Sequence, residues 1–92
     1  MGFDQYHEPP QELSEKIRTF ARMIASLIEE AEAIGWYEQR MSVENDKEAR
    51  AIMANAQKEE FKHFGMNLEF FYAELSSVEQ NFKVFSLQKE IS

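Results

Sequence analysis

Residues 59–64 read "EEFKHF", which sets a carboxylate and an imidazole, Glu60 and His63, three positions apart with Phe61 and Phe64 beside them. On a helix that spacing brings the two side chains to one face. The pair alone is a weak signal. Glu supplies 15 of the 92 residues, so about one His in six would have a Glu three positions upstream by chance. Its weight comes from the elements around it.

Upstream, Ile17, Phe20, Ala21, Ile24, Leu27, Ile28, Ala31 and Ile34 recur at intervals of three and four, the period of one buried helical face. Pro9 and Pro10 suit a first helical turn, where a missing N–H costs nothing. Trp36, Tyr37 and Met41 continue the pattern past Gly35, so a helix is predicted from the prolines to about residue 43. The stretch "SVEND" (42–46) is rich in turn and cap residues, and Glu48 suits the start of the next helix. That second helix is predicted to run to about Glu74. Its inner face is Ile52, Met53, Ala56, Glu60, His63, Phe64, Asn67, Leu68, Phe70 and Phe71. "ELSSVEQ" (74–80) then offers Ser76 or Ser77 as the cap of a short third helix carrying Val78, Phe82, Phe85 and Leu87. The fold expected is all-α: a tail over 1–8, an antiparallel two-helix hairpin over 9–75, and a short C-terminal helix and tail over 76–92.

Composition narrows the function. A chain of 92 residues, 43% hydrophobic, makes one small domain near the size where a lone core is marginal, and association would help it. With no cysteine, any metal is held by oxygen and nitrogen. The net charge of -7, without a clustered basic face, argues against nucleic acid and favours cations as clients. No basic and apolar signal region opens the chain and no apolar run approaches a membrane span, so a cytoplasmic protein is expected.

Within this hairpin, Glu30 stands in line with Met23, Leu27, Ile34, Tyr37 and Met41, a carboxylate inside an apolar stripe. Glu60 and His63 intrude in the same way on the second helix. Buried charge needs a partner or a metal. Register supplies a test, because residues equidistant from the turn of an antiparallel hairpin lie level. The midpoint of 30 and 60 falls at 45, inside the turn, so Glu30 should face the level of Glu60 and His63, roughly 22 Å from the turn.

Three ligands are half of a di-iron set. Ferritin-like four-helix bundles take one Glu from each of two helices and one Glu-x-x-His from each of the other two. The economical arrangement is a two-fold homodimer, in which two hairpins close into a four-helix bundle and supply Glu30, Glu60 and His63 twice. Carboxylate-rich ligation with one imidazole per metal suits iron or Mn, and Zn would also bind. Tyr37 lies one helical repeat from Glu30, near the same site. Glu29, Glu32 and Trp36 share a different face of the first helix, where acids could attract and hand on cations. His7 lies in the tail, away from the centre. Met23, Met41, Met53 and Met66 are read as packing residues, since thioethers suit hard iron poorly.

"EEAEAIGWYEQR" (29–40), "KEEFKHFGMNLEFF" (58–71) and "HEPP" (7–10) resemble the encapsulated ferritins, a family of two-helix ferritin-like proteins. The resemblance implies a ferroxidase centre between two hairpins, with Glu30, Glu60 and His63 of both chains as di-iron ligands and Tyr37 close by. It implies a ring of five dimers, a decamer, with Glu29, Glu32 and Trp36 as an outer metal-uptake site between dimers. It also implies an iron-storage partner, the encapsulin nanocompartment, which retains the ferric product. Separate cargo of that shell carries a Gly-Ser-Leu-Lys-like docking peptide, whereas residues 84–92 here read "VFSLQKEIS". Two other readings stand beside the enzyme: a non-catalytic helical assembly module, and a protein that holds Mn, Zn or Ca without turnover.

Overall fold

The structure is a computed structural model that describes residues 4–91, and side chains over residues 4–78. Pro10–Glu12 form a single 3-10 turn, followed by helix α1, Glu15–Val43, and helix α2, Lys47–Ile91. Among the described residues there is no strand, and no helix is long and apolar enough to cross a membrane.

The start of α1 differs from the expectation that it would begin at the prolines. Pro10 occupies the first position of the 3-10 turn, in which the N–H groups of Glu12 and Leu13 donate to the carbonyls of Pro9 and Pro10. Leu13 then takes an extended conformation (φ -93°, ψ 139°) that ends the turn. The helix restarts at Ser14, whose Oγ accepts from the Ile17 N–H at 3.1 Å. A serine cap satisfies a donor left without a carbonyl in the first turn, which a proline cannot do for it.

The break at 44–46 falls where the turn residues predict it. The Asp46 carboxylate caps α2 by accepting from the Ala49 N–H at 2.9 Å, and the Glu44 carboxylate accepts from the Asp46 N–H at 2.9 Å. The Arg50 guanidinium donates back to the Glu44 carbonyl and so ties the end of α1 to the start of α2.

Helix α2 corrects a second expectation. The short third helix, capped by Ser76 or Ser77, is instead the continuation of α2, which passes through both serines without a break. Serine costs a helix only a fraction of a kcal/mol, and no Pro or Gly follows Gly65 to stop the run. The stripe expected at Phe82, Phe85 and Leu87 lies outside the described side chains.

Contacts between the helices fix their direction and register. The Gln57 side-chain amide donates to the Ile34 carbonyl at 3.1 Å and to the Glu38 carboxylate at 2.9 Å. Nearer the open end, the Phe20 and Phe71 rings meet edge to face at 5.0 Å, with Phe70 edge-on to Phe71 at 5.1 Å. As numbers rise along α2 they fall along α1, so the hairpin is antiparallel. The Ile34–Gln57 and Phe20–Phe71 pairs are both centred half a residue past Asn45, whereas the side-chain bonds Glu38–Gln57 and Glu30–Asn67 are centred at 47.5 and 48.5, so the Glu30 carboxylate reaches toward the open end, to Asn67.

At ~1.5 Å per residue, the 29 residues of α1 span ~43 Å and the 45 of α2 span ~67 Å, close to the 65 Å long dimension of the molecule. The register sets Glu15 level with Ser76, so α2 continues beyond α1. Two helices alone bury little: no apolar side chain among the described residues is fully buried, and the only buried residue is Asn67. An open apolar groove of about 590 Å³ runs along α2 past Phe20, Leu68, Phe71, Tyr72, Leu75 and Val78.

Candidate metal centre

Helix α1 presents Glu30 from its inner stripe. Met23, Leu27, Ile34, Tyr37 and Met41 are all half-buried with it, while Glu29, Glu32 and Trp36 are exposed on another face. Half-burial in a row of apolar neighbours is a poor place for a carboxylate unless its oxygens are engaged. One of them is. The Asn67 Nδ2 donates to Glu30 Oε2 at 2.6 Å, across the two helices.

Helix α2 presents the other pair. The His63 Nδ1–H donates to Glu60 Oε1 at 3.3 Å, within one helical turn. Glu60 is 28% exposed and the His63 ring 51%, so the pair opens outward from the hairpin and is not sealed within it. A metal ion could take the place of the shared proton. Two donors each about 2.1 Å from one metal, at angles between octahedral and tetrahedral, stand about 3.0–3.4 Å apart.

Residues 60, 63 and 67 follow at steps of three and four along α2, so the imidazole, its carboxylate and the amide that grips Glu30 share one stripe. The hairpin thus brings Glu30 to the same stripe as Glu60 and His63, through Asn67. It does not close them into a single ligand cluster: among the described residues, no group of three or more His, Asp or Glu side chains stands close enough to hold a metal ion within one chain. Tyr37 is half-buried and the Arg40 guanidinium lies 5.3 Å from its ring centre. His7 is exposed, ahead of the 3-10 turn.

Two polar residues that hold this arrangement were not among the candidates read from spacing. Spacing puts Asn67 on the inner face without a role and does not single out Gln57. Each had a signal: a polar side chain at a position that helical period assigns to the inside must find a partner there.

Comparison with known proteins identifies the family. The EncFtn-like family profile matches residues 5–89. The chain belongs to the EncFtn-like family. It is 46% identical over 67 residues to a "Ferritin-like protein" of Thermotoga maritima, a match covering 73% of this chain and 59% of that protein. It is 42% identical over 64 residues to an "Encapsulated ferritin-like protein" of Rhodospirillum rubrum, covering 70% of this chain and 46% of that one. The matched stretch therefore spans about half the length of these two relatives. A crystal structure of a protein from Nitrosomonas europaea superposes with a TM-score of 0.76 at 41% identity, covering 87% of this chain and 88% of that one. This EncFtn-like chain therefore shares its hairpin with a solved protein over nearly the whole length of both.

Proposed function

We propose that the chain is one half of a ferroxidase, an oxidoreductase whose substrate is Fe(II). Two copies bring their uncovered inner faces together, and Glu30, Glu60 and His63 of each chain then surround a pair of iron ions. The observation that carries this reading is the 3.3 Å Glu60–His63 pair, open to the outside of the hairpin, on the stripe to which Asn67 ties Glu30. Membership of the EncFtn-like family supports it.

Each residue type has its work. Carboxylates are hard anionic donors that bind Fe(II) and favour Fe(III) still more, which draws the oxidation forward. Glu60 is the bridging candidate, since a metal can displace the His63 N–H from one of its oxygens and the other is already free. His63 supplies one nitrogen per iron, and Glu30 closes each site from α1. Each Fe(II) gives up one electron to dioxygen, which takes up protons as it is reduced, and the Fe(III) leaves toward a mineral. Tyr37, one helical repeat from Glu30, is assigned to the surroundings of the centre, where its hydroxyl can hydrogen-bond a ligand. Glu29, Glu32 and Trp36 form an outer uptake site where dimers meet in a ring of five. An encapsulin shell holds the ferric product, a reading supported by the name of the Rhodospirillum rubrum relative. Mn, Zn and Ca can occupy the same oxygen-rich donors without turnover.

The test adds Fe(II) to metal-free protein in air and follows oxygen uptake with ferric absorbance, beside Glu60→Ala. Rapid oxidation in the parent and only the slow background rate in the variant are expected. Equal slow rates in both would leave these residues as polar groups of an interface or as a redox-silent metal site.

A further inference from the structure

We infer that Asn67 is a positioning residue of the iron site: its amide holds Glu30 by one oxygen and presents the other to the metal as a single-oxygen ligand. This rests on the proposed role of Glu30, Glu60 and His63, and adds a residue that does not itself touch iron.

Asn67 is the only buried residue among those described, at 8% exposure. Phe64 and Phe71 flank it on the same helix at steps of three and four, so an apolar side chain would suit the packing as well. An amide there is costly unless its hydrogen bonds are made. The bond it makes is to Glu30 Oε2, at 2.6 Å, and it is charge-assisted because the acceptor is a carboxylate. The carboxylate is on the other helix. One contact therefore fixes both the rotamer of Glu30 and its place relative to the stripe that carries Glu60 and His63.

Engaging one oxygen also restricts how Glu30 can bind. A free carboxylate can chelate one metal with both oxygens or bridge two. With one lone pair of Oε2 taken by an amide N–H that a metal cannot displace, Oε1 is the unencumbered oxygen, which favours a terminal role for Glu30. A ligand held in place before the metal arrives loses less freedom on binding. Partners of this kind typically account for ten- to a hundredfold in metal affinity.

The experiment compares the parent, Asn67→Leu and Glu60→Ala as purified full chains, using Co(II) as a redox-silent probe. It measures Co(II) affinity from the visible absorption, along with oligomeric mass and melting temperature of the metal-free proteins. Asn67→Leu is expected to weaken Co(II) binding at least tenfold, with mass and metal-free melting temperature unchanged. It is also expected to alter the Co(II) spectrum as Glu30 becomes free to chelate. Affinity within twofold of the parent overturns the inference while leaving the site itself intact. A loss of affinity matched by a loss of mass or melting temperature also overturns it, because Asn67 is then a packing residue. If Asn67→Leu fails to fold, Asn67→Ser, which cannot reach Glu30 but leaves room for water, is judged on the same outcomes. Co(II) binding that is absent in the parent, or equal in Glu60→Ala, instead overturns the metal-site reading on which the inference rests.

Discussion

A carboxylate among apolar neighbours survives only if something holds it, and Glu30 and Glu60 are held by different means. Glu30 is held by an amide from the opposite helix at 2.6 Å, and Glu60 by the imidazole one turn along its own helix at 3.3 Å. Both leave an oxygen to offer. On the proposed function metal would bind the folded protein and not the unfolded chain, and would raise stability by about 2.7 kcal/mol when supplied at a hundred times its dissociation constant. Mn(II) or Co(II) is therefore expected to raise the melting temperature of the parent, and to leave that of Glu60→Ala where it was; scanning calorimetry with and without metal reads both. At this scale the sequence was informative where it carried charge. Glu30, Glu60 and His63 stand out because each breaks an apolar period, whereas Asn67 breaks it without charge and was read simply as part of the face. Its partner sits 37 residues away on another helix, a pairing that no local spacing reveals.

Elements were legible where a strong local signal stood alone and less so where two signals competed. The break between α1 and α2 follows from turn chemistry at 44–46, with Asp46 capping as an aspartate there should. At the N-terminus two start signals compete, and Ser14 prevails over the prolines because it satisfies a backbone donor. At Ser76–Ser77 a cap-like dipeptide lies inside a run with no helix breaker, and the helix passes through. Cap residues mark a start only where the chain also has a reason to stop. Ser77→Pro tests this reading. At the first turn of a separate third helix, a proline would cost little. Inside a continuous α2 it removes a hydrogen bond and clashes with the preceding turn, and should cost about 3 kcal/mol or kink the helix. The expected result is a clear loss of helical circular dichroism and a lower midpoint in urea; an unchanged spectrum and midpoint would indicate two helices meeting at the serines.

At the scale of the whole molecule, the hairpin is unfinished. No apolar side chain among the described residues is fully buried, although 43% of the chain is hydrophobic, so the hydrophobic gain that stabilises small domains is not collected within one copy. The Glu60–His63 pair is likewise left open to solvent, the imidazole by half. On the proposed function, a second copy would cover apolar surface and complete the donor set together. Chain length is enough to suggest a need for association, whereas the bond from Asn67 to Glu30, centred three and a half residues past 45, is not legible from the spacing of Glu30 and Glu60. The most direct test measures the initial rate of Fe(II) oxidation per chain across a dilution series, with the mass of the particles followed by light scattering and ultracentrifugation. A site shared between chains predicts a rate per chain that falls in step with the dimer fraction and reaches the uncatalysed background in single chains. A rate per chain that stays constant into the range where only single chains remain would contradict it.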